Sequence, residues 1–281
     1  MTISEWVTAG STQLSKAGIS TSRLDAELLL AYQLERSRTW LIAHRNDNID
    51  DLNVLENASK LLKKRLNRIP LAYITSHKEF YNRSFFVDTS VLIPRPESET
   101  IIELLKDLIM HSEEAPTRLL DVGTGSGCLG ITAKLEIPSI SVTLSDISTD
   151  ALTVARQNAS ELKADVNFVQ SDLLTAFSNI EHRASSTSFD IIIANLPYVD
   201  RAWERSPETD HEPALALFAE DHGLELIKKC IQQARTLTSV NGYILLEADP
   251  EQHNEIIQFA ASHFRHVETR GYVVLLQKMD T

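Results

Sequence analysis

Asp121-Val122-Gly123-Thr124-Gly125-Ser126-Gly127 stands where the apolar run 118–122 ends and an apolar-periodic stretch near 128–136 begins. Closely spaced glycines let a chain turn tightly and let a ligand approach the backbone. A helix starting there offers unpaired N–H groups to an anionic or carboxylate-bearing ligand. The strand–loop–helix reading makes this stretch the opening of a βαβ unit. Asp146 follows roughly 20 residues on, at the end of the next strand, where a carboxylate can accept hydrogen bonds from both hydroxyls of a ribose. The pair points to a nucleoside-containing ligand.

Outward from this loop, strands and helices alternate to the end of the chain. Strands are expected at 118–122, 140–144, 166–170, 189–194, 243–247, 266–269 and 272–277, and helices near 128–136, 149–161, 223–238 and 251–263. Such alternation implies an α/β fold with a mostly parallel sheet of seven strands, covered on both faces. The last two strands are too close for a crossover helix and are expected to pair antiparallel. Ala184-Ser185-Ser186-Thr187-Ser188 reads as a short flexible loop.

Upstream, residues 3 to about 68 read as helix only. Leu52, Leu55, Ala58, Leu61, Leu62 and Leu66 recur at spacings of three and four. Ser20, Thr21 and Ser22 offer N-caps to a helix over 24–34. Then Glu79-Phe80-Tyr81 and Ser84-Phe85-Phe86-Val87 flank Asn82-Arg83, the pattern of a hairpin. Pro94 and Pro96 bar a helix before residue 96, and Pro96 suits the first turn of the helix that follows. Three parts are expected: a helical docking domain over 1–70, a hairpin linker over 71–94 and the α/β domain over 95–281.

Composition removes several classes. A net charge of −12 over 281 residues speaks against a phosphate-binding surface, so direct nucleic-acid binding is not expected. Cys128 and Cys230 make neither a disulfide framework nor a metal spacing, and the nine histidines form no cluster, so no metal is expected. No run approaches the roughly 20 apolar residues of a membrane span, and no leader pattern opens the chain. A cytoplasmic protein, monomeric and without a membrane partner, is the expectation.

The glycine loop leaves two cofactors open. Gly125-Ser126-Gly127-Cys128-Leu129-Gly130 satisfies the dinucleotide pattern G-x-G-x-x-G. The alternative is an acidic residue followed by G-x-G-x-G, as in methyltransferases that use S-adenosylmethionine. Asp121 favours the second, because a carboxylate repels a pyrophosphate and can orient an ammonium-bearing ligand. Gly123, Thr124, Gly125, Ser126 and Gly127 would cradle the ligand. After the third strand, Asp172 would accept from an adenine amino group and Leu173 would pack on its face.

Asn195-Leu196-Pro197-Tyr198 follows the apolar run 189–194, at the strand end where open α/β sheets bind ligands. The Asn195 oxygen and the carbonyl of Leu196 can accept hydrogen bonds from a planar nitrogen without taking its proton. Such bonds pull electron density onto an amide nitrogen and stabilise the positive charge that develops as it attacks a sulfonium methyl. Tyr198 would stack on the planar group, and Pro197 would fix the turn. Most of the catalysis would be alignment, with Asn195 touching both acceptor and cofactor.

The tetrapeptide resembles the N/D-P-P-Y/F motif of class I methyltransferases acting on amide or amino nitrogens. With Arg95-Pro96-Glu97-Ser98-Glu99, the helical N-terminal region and His211-Glu212-Pro213-Ala214-Leu215-Ala216-Leu217, the chain resembles the release factor glutamine methyltransferases, the HemK/PrmC family, from about residue 3 to 278. The resemblance implies a Rossmann-like class I S-adenosylmethionine-dependent fold with a small helical bundle. It further implies methyl transfer to the side-chain nitrogen N5 of the glutamine in the Gly-Gly-Gln motif of peptide chain release factors, with S-adenosylhomocysteine as the product. Leu196 departs from the family's first proline and gives up its fixed φ. The 268–272 connection is also shorter than the resemblance leads one to expect. The alternatives are a glutamine methyltransferase of a ribosomal protein and an N6-adenine methyltransferase of ribosomal RNA, whose Asn-Leu/Ile-Pro-Tyr motif matches Leu196.

Overall fold

A computed structural model of the chain describes residues 1–110, 118–178 and 188–280. Of the loop expected at 184–188, all but Ser188 lies outside the described residues. By its internal contacts the chain divides into two compact units, Met1–His77 with Arg205–His211, and Lys78–Glu204 with Glu212–Thr281.

The first unit is helical: α1 (Ile3–Lys16), α2 (Ser22–Leu34), α3 (Arg38–Ala43), α4 (Leu52–Leu66) and the short α5 (Leu71–Thr75). Thr2 and Glu5 close a capping box on α1, which buries Ile3, Trp6, Val7, Gly10 and Leu14 on one face. In α4, Ala58 and Leu62 are buried, but Leu52 at the helix start is 77% exposed. The N-cap of α2 differs from expectation. Thr21 occupies it with ψ of 17°, far from extended, and its side chain makes no capping bond. A cap needs extended backbone to aim its oxygen at the first free N–H groups.

Arg205–His211 returns to this unit through charge. Arg65 pairs with Asp25 at 2.7 Å and with Glu208 at 2.9 Å, and Arg68 reaches Glu208 at 3.2 Å. Burial alone would raise the Glu208 carboxyl, but hydrogen bonds from Ser206, Arg65 and Arg68 pull it down to about 2.

The second unit opens with a hairpin, β1 (His77–Phe80, whose first residue belongs to the helical unit) and β2 (Arg83–Phe86). Its turn is Tyr81-Asn82 rather than Asn82-Arg83. Both residues have positive φ, 48° and 58°, as a two-residue turn with matching strand twist requires. Arg83 is thereby freed to pair with Glu136 at 2.5 Å. Pro96 then opens a single 3₁₀ turn ahead of α6 (Glu99–Met110).

The remainder supplies β3 (Arg118–Val122), α7 (Cys128–Glu136), β4 (Ser141–Asp146), α8 (Thr149–Leu162), β5 (Asn167–Gln170), α9 (Thr175–Ser178), β6 (Phe189–Ala194), α10 (Ala214–Leu217), α11 (Glu225–Leu237), β7 (Thr238–Glu247), α12 (His253–Ala260), β8 (Phe264–Arg270) and β9 (Val273–Lys278). The seven strands lie in the order β5-β4-β3-β6-β7-β9-β8. β9 runs antiparallel to both its neighbours, and the other pairs are parallel. β8 and β9 meet at a two-residue turn, Gly271-Tyr272.

The apolar run of β6 explains the layering. Ile192 and Ala194 face one core with Leu120, Val122 and Leu246, while Ile191 and Ile193 face the other with Leu119 and Leu245. A parallel strand buried on both faces needs an unbroken apolar run. Strand order reverses between β3 and β6, which opens a crevice at their carboxyl ends.

Candidate active site

A cavity of about 330 Å³ occupies that crevice. Of the candidate site residues, Gly123, Thr124, Gly125, Ser126, Asp146, Asp172, Leu173, Asn195, Leu196 and Pro197 all line it. Asp121, Gly127 and Tyr198 do not.

The glycine-loop half is built by backbone. Gly123, Gly125 and Gly127 have φ of 68°, 54° and 81°, values that any Cβ would strain. The loop is tied to β4 by the bond from Thr124 N to Ser145 O at 2.9 Å and closes on itself from Gly127 N to Thr124 O at 2.8 Å. Asn158 Nδ2 donates to Ser126 O at 2.8 Å. A Cβ at Gly130 would lie 2.1 Å from Leu144 Cδ2, so the third glycine of the G-x-G-x-x-G pattern is there for helix–strand packing.

Asp121 lies beneath the loop. Its Oδ2 accepts from Thr124 Oγ1 at 2.6 Å and from Gly130 N at 3.0 Å, while Oδ1 is buried with no hydrogen-bond partner. Burial pushes its carboxyl up to about 7 against those two bonds. Asp146 does face the cavity. Its two oxygens accept from Gly125 N and Ser148 N, each at 2.9 Å. Burial raises its pKa, and those same amides oppose the rise. Asp172 is exposed, while Leu173 is buried with a positive φ of 48°.

The facing half is built by side chains. Asn195 Nδ2 donates to Ser98 Oγ at 3.0 Å. Tyr198 packs against the core and its hydroxyl donates to Glu247 Oε1 at 3.3 Å. The Leu196 side chain is 4% exposed, and a Cβ on Gly123 would come within 3.0 Å of it. The leucine therefore supports the glycine loop from below, a packing duty that a proline ring would fill differently.

Two further sequence motifs meet here. Arg95 Nη2 pairs with Glu212 Oε1 at 2.6 Å, and Ile93 N donates to Glu212 Oε2 at 3.1 Å. Arg95, Ser98, Pro213, Leu215 and Ala216 all line the cavity. In sequence, 95–99 reads only as a helix start at the domain join and a family marker, and 211–217 only as a marker. Their joining through one ion pair, of which only Glu212 is buried, is a long-range fact with no local pattern to announce it. Among the described residues, no group of three or more His, Cys, Asp or Glu is arranged to hold a metal. No helix among them is long and apolar enough to cross a membrane.

Together, the strand order, the glycine loop at the switch point and the carboxylate after the second strand define a nucleotide-cofactor α/β fold of the methyltransferase type. Residues 113–271 match the family described as "Methyltransferase domain", and residues 5–75 match the "PrmC N-terminal domain". The fold is shared with the Thermus thermophilus 16S rRNA N2 G1207 methyltransferase, solved with AdoMet and guanosine. That likeness has a TM-score of 0.52 and 14% identity, over 72% of this chain and 49% of that one.

The release factor glutamine methyltransferase of Koribacter versatilis is 36% identical over 89% of each chain. The chain belongs to the release factor glutamine methyltransferase family. The bifunctional methyltransferase of Rickettsia felis is also similar, 32% identical over 95% of this chain and 55% of its own length, so the chain spans about half of that relative.

Proposed function

We propose that the protein transfers the methyl group of S-adenosylmethionine to the side-chain nitrogen N5 of the glutamine in the Gly-Gly-Gln motif of peptide chain release factors. The observation that carries this reading is the side-chain amide of Asn195, held at the carboxyl end of β6 and facing the glycine loop across one cavity. The names of the family relatives support the same substrate.

The loop residues fit the cofactor. Open space lies beyond Gly125, where a Cβ would meet nothing within 4 Å. The Asp146 carboxylate suits a ribose diol, and Asp172 with Leu173 suits an adenine edge and face. Asp121 contributes by holding the loop. When bound, S-adenosylmethionine supplies an electrophilic methyl on a sulfonium. The protein's own work is then to bring an amide nitrogen into line. Asn195 Oδ1 and the Leu196 carbonyl accept from its two N–H groups, which favours the transition state over the ground state. Pro197 fixes the turn, and Tyr198, which packs against the core rather than lining the cavity, supports the seat from behind through its bond to Glu247. The amide proton leaves to water after the methyl arrives, so no general base is required. The helical unit would dock the body of the release factor, in a cytoplasmic monomer.

Mass spectrometry of a release factor incubated with enzyme and S-adenosylmethionine tests the reading. A single added methyl on the Gly-Gly-Gln glutamine is expected, and none on a Gln→Ala factor. Equal labelling of both factors would remove the glutamine assignment, and selective binding of NAD by calorimetry would remove the cofactor.

A further inference from the structure

Glu247 ends β7 beside the cavity without lining it. It is 1% exposed, and its Oε2 is buried without a hydrogen-bond partner. A buried carboxylate is costly unless donors surround it. Three side chains face it: Tyr198, whose hydroxyl donates at 3.3 Å, Ser98 and Asn195.

The chemistry of these four groups fixes one orientation. An ionised carboxylate only accepts, and a hydroxyl has one proton to give. Ser98 is 1% exposed, so its proton needs a buried acceptor. The Glu247 carboxylate is the charged acceptor beside it. With its proton directed there, Ser98 Oγ can only accept from Asn195. Asn195 must then turn its NH₂ toward Ser98 and Glu247, which leaves Oδ1 for the cavity. The 3.0 Å bond from Asn195 Nδ2 to Ser98 Oγ is that arrangement.

We infer that Ser98 and Glu247 are positioning residues that set the amide of Asn195 so that its oxygen, and not its nitrogen, faces the acceptor nitrogen. The inference rests on the proposed glutamine methylation. A flipped Asn195 would present two N–H donors to the N–H groups of the acceptor, and the acceptor could not be held. Neither Ser98 nor Glu247 touches the reacting atoms. Their effect runs through Asn195.

Burial raises the pKa of Glu247, the charge of Glu97 raises it further, and Ser98, Tyr198 and Asn195 pull it down. Glu247 in turn raises Cys128, while Tyr272 and Arg95 act on the neighbouring Tyr198. A protonated Glu247 can donate to Ser98, which releases the Ser98 proton toward Asn195 Oδ1 and favours the flip. Turnover is therefore lost on acidification through the raised pKa of Glu247.

The test compares wild type, Ser98→Ala, Ser98→Thr and Glu247→Gln in methyl transfer to a release factor, with S-adenosylmethionine affinity measured by calorimetry. A bond to a charged group stabilises by roughly 1.5–3 kcal/mol, so losing the orientation is expected to lower kcat about 10- to 100-fold in Ser98→Ala and Glu247→Gln. Cofactor affinity stays within about twofold, because neither variant alters the glycine loop. Ser98→Thr keeps the hydroxyl and restores turnover. The acid limb of the wild-type kcat profile is shallower in Glu247→Gln. Wild-type turnover in both variants would overturn the inference. So would a loss of cofactor affinity matching the loss of turnover, or an acid limb unchanged in Glu247→Gln. A wild-type enzyme that leaves the release factor unlabelled while binding cofactor would remove the glutamine reading, and the inference with it.

Discussion

The two walls of the cavity are made of different materials. The wall after β3 is backbone: three glycines at positive φ, amides bound to Asp146 and a buried Asp121 beneath. The wall after β6 is side chain: Asn195 and Ser98 line it, backed by Tyr198 and Glu247, from segments up to about 150 residues apart. A backbone wall is built locally, from residues close in sequence. A side-chain wall fails when any member loses its partner.

Glycine substitutions give the sharpest contrast. Gly223 has φ of 85°, and a Cβ there would lie 2.0 Å from the Tyr198 carbonyl oxygen and 2.6 Å from Gln252 Nε2. Gln252 Nε2 itself donates to that carbonyl at 2.9 Å. Gly223→Ala is expected to lower unfolding stability by about 2–5 kcal/mol, from left-handed strain plus overpacking. Gly125→Ala meets no atom within 4 Å and is expected to cost only about 1–2 kcal/mol. Urea denaturation measures both. Equal losses would mean that the space around the added Cβ does not set its cost, and the contrast between the two glycines would fall.

Two adjacent residues separate chemistry from packing. Asn195→Ala is expected to lower kcat by about 100-fold with cofactor affinity within about threefold, since on the proposed mechanism it removes a contact strengthened in the transition state. Leu196→Ala is expected to cost about 2–4 kcal/mol of stability, with a much smaller change in kcat, because in the proposed reaction only its carbonyl meets the acceptor. Steady-state kinetics alongside denaturation checks the crossing of the two effects. A Leu196→Ala enzyme of full stability would show that its side chain is not the support for Gly123.

The backbone wall was legible in the sequence, because Asp121 to Gly127 and Asp146 each announce themselves by local spacing. So were the central strands, since two-sided burial leaves unbroken apolar runs such as 191–194. The hairpin turn was misread by one residue because Tyr81 tolerates a positive φ that its side chain does not advertise. The contacts of Ser98, Glu212 and Glu247 were not legible at all. Each acts through a partner distant in sequence, and a serine or glutamate at a strand or helix end carries no local signal of what faces it.

The third test concerns the carboxylate under the loop. Asp121 titrates at about 7 in the folded protein against an ordinary 3.8. Between those values the folded chain holds a proton that the unfolded chain has released. Its contribution is therefore fully present below about pH 4 and is lost as pH rises toward 7. Asp121→Asn cannot titrate, so its stability relative to wild type should rise across that window and level off above it. Denaturation midpoints at a series of pH values measure the difference. A constant difference would place the titration elsewhere.

The smallest expected effect compares two helix starts, one in each unit. Ser148 caps α8 from extended backbone, with ψ of 119°, and its hydroxyl accepts from Ala151 N at 3.2 Å. Thr21 holds the same position at α2 but makes no such bond. Ser148→Ala is expected to cost about 1 kcal/mol, and Thr21→Ala no more than about 0.5 kcal/mol. Residue type alone ranks the two caps as near equals, so the difference isolates what backbone ψ contributes. Ser148 also follows Asp146 by two residues, and its N–H is one of the two amides holding that carboxylate. Alanine keeps the N–H, so cofactor affinity should change little while stability falls. If Ser148→Ala weakens S-adenosylmethionine binding by more than about tenfold, the hydroxyl rather than the amide is what shapes this part of the backbone wall.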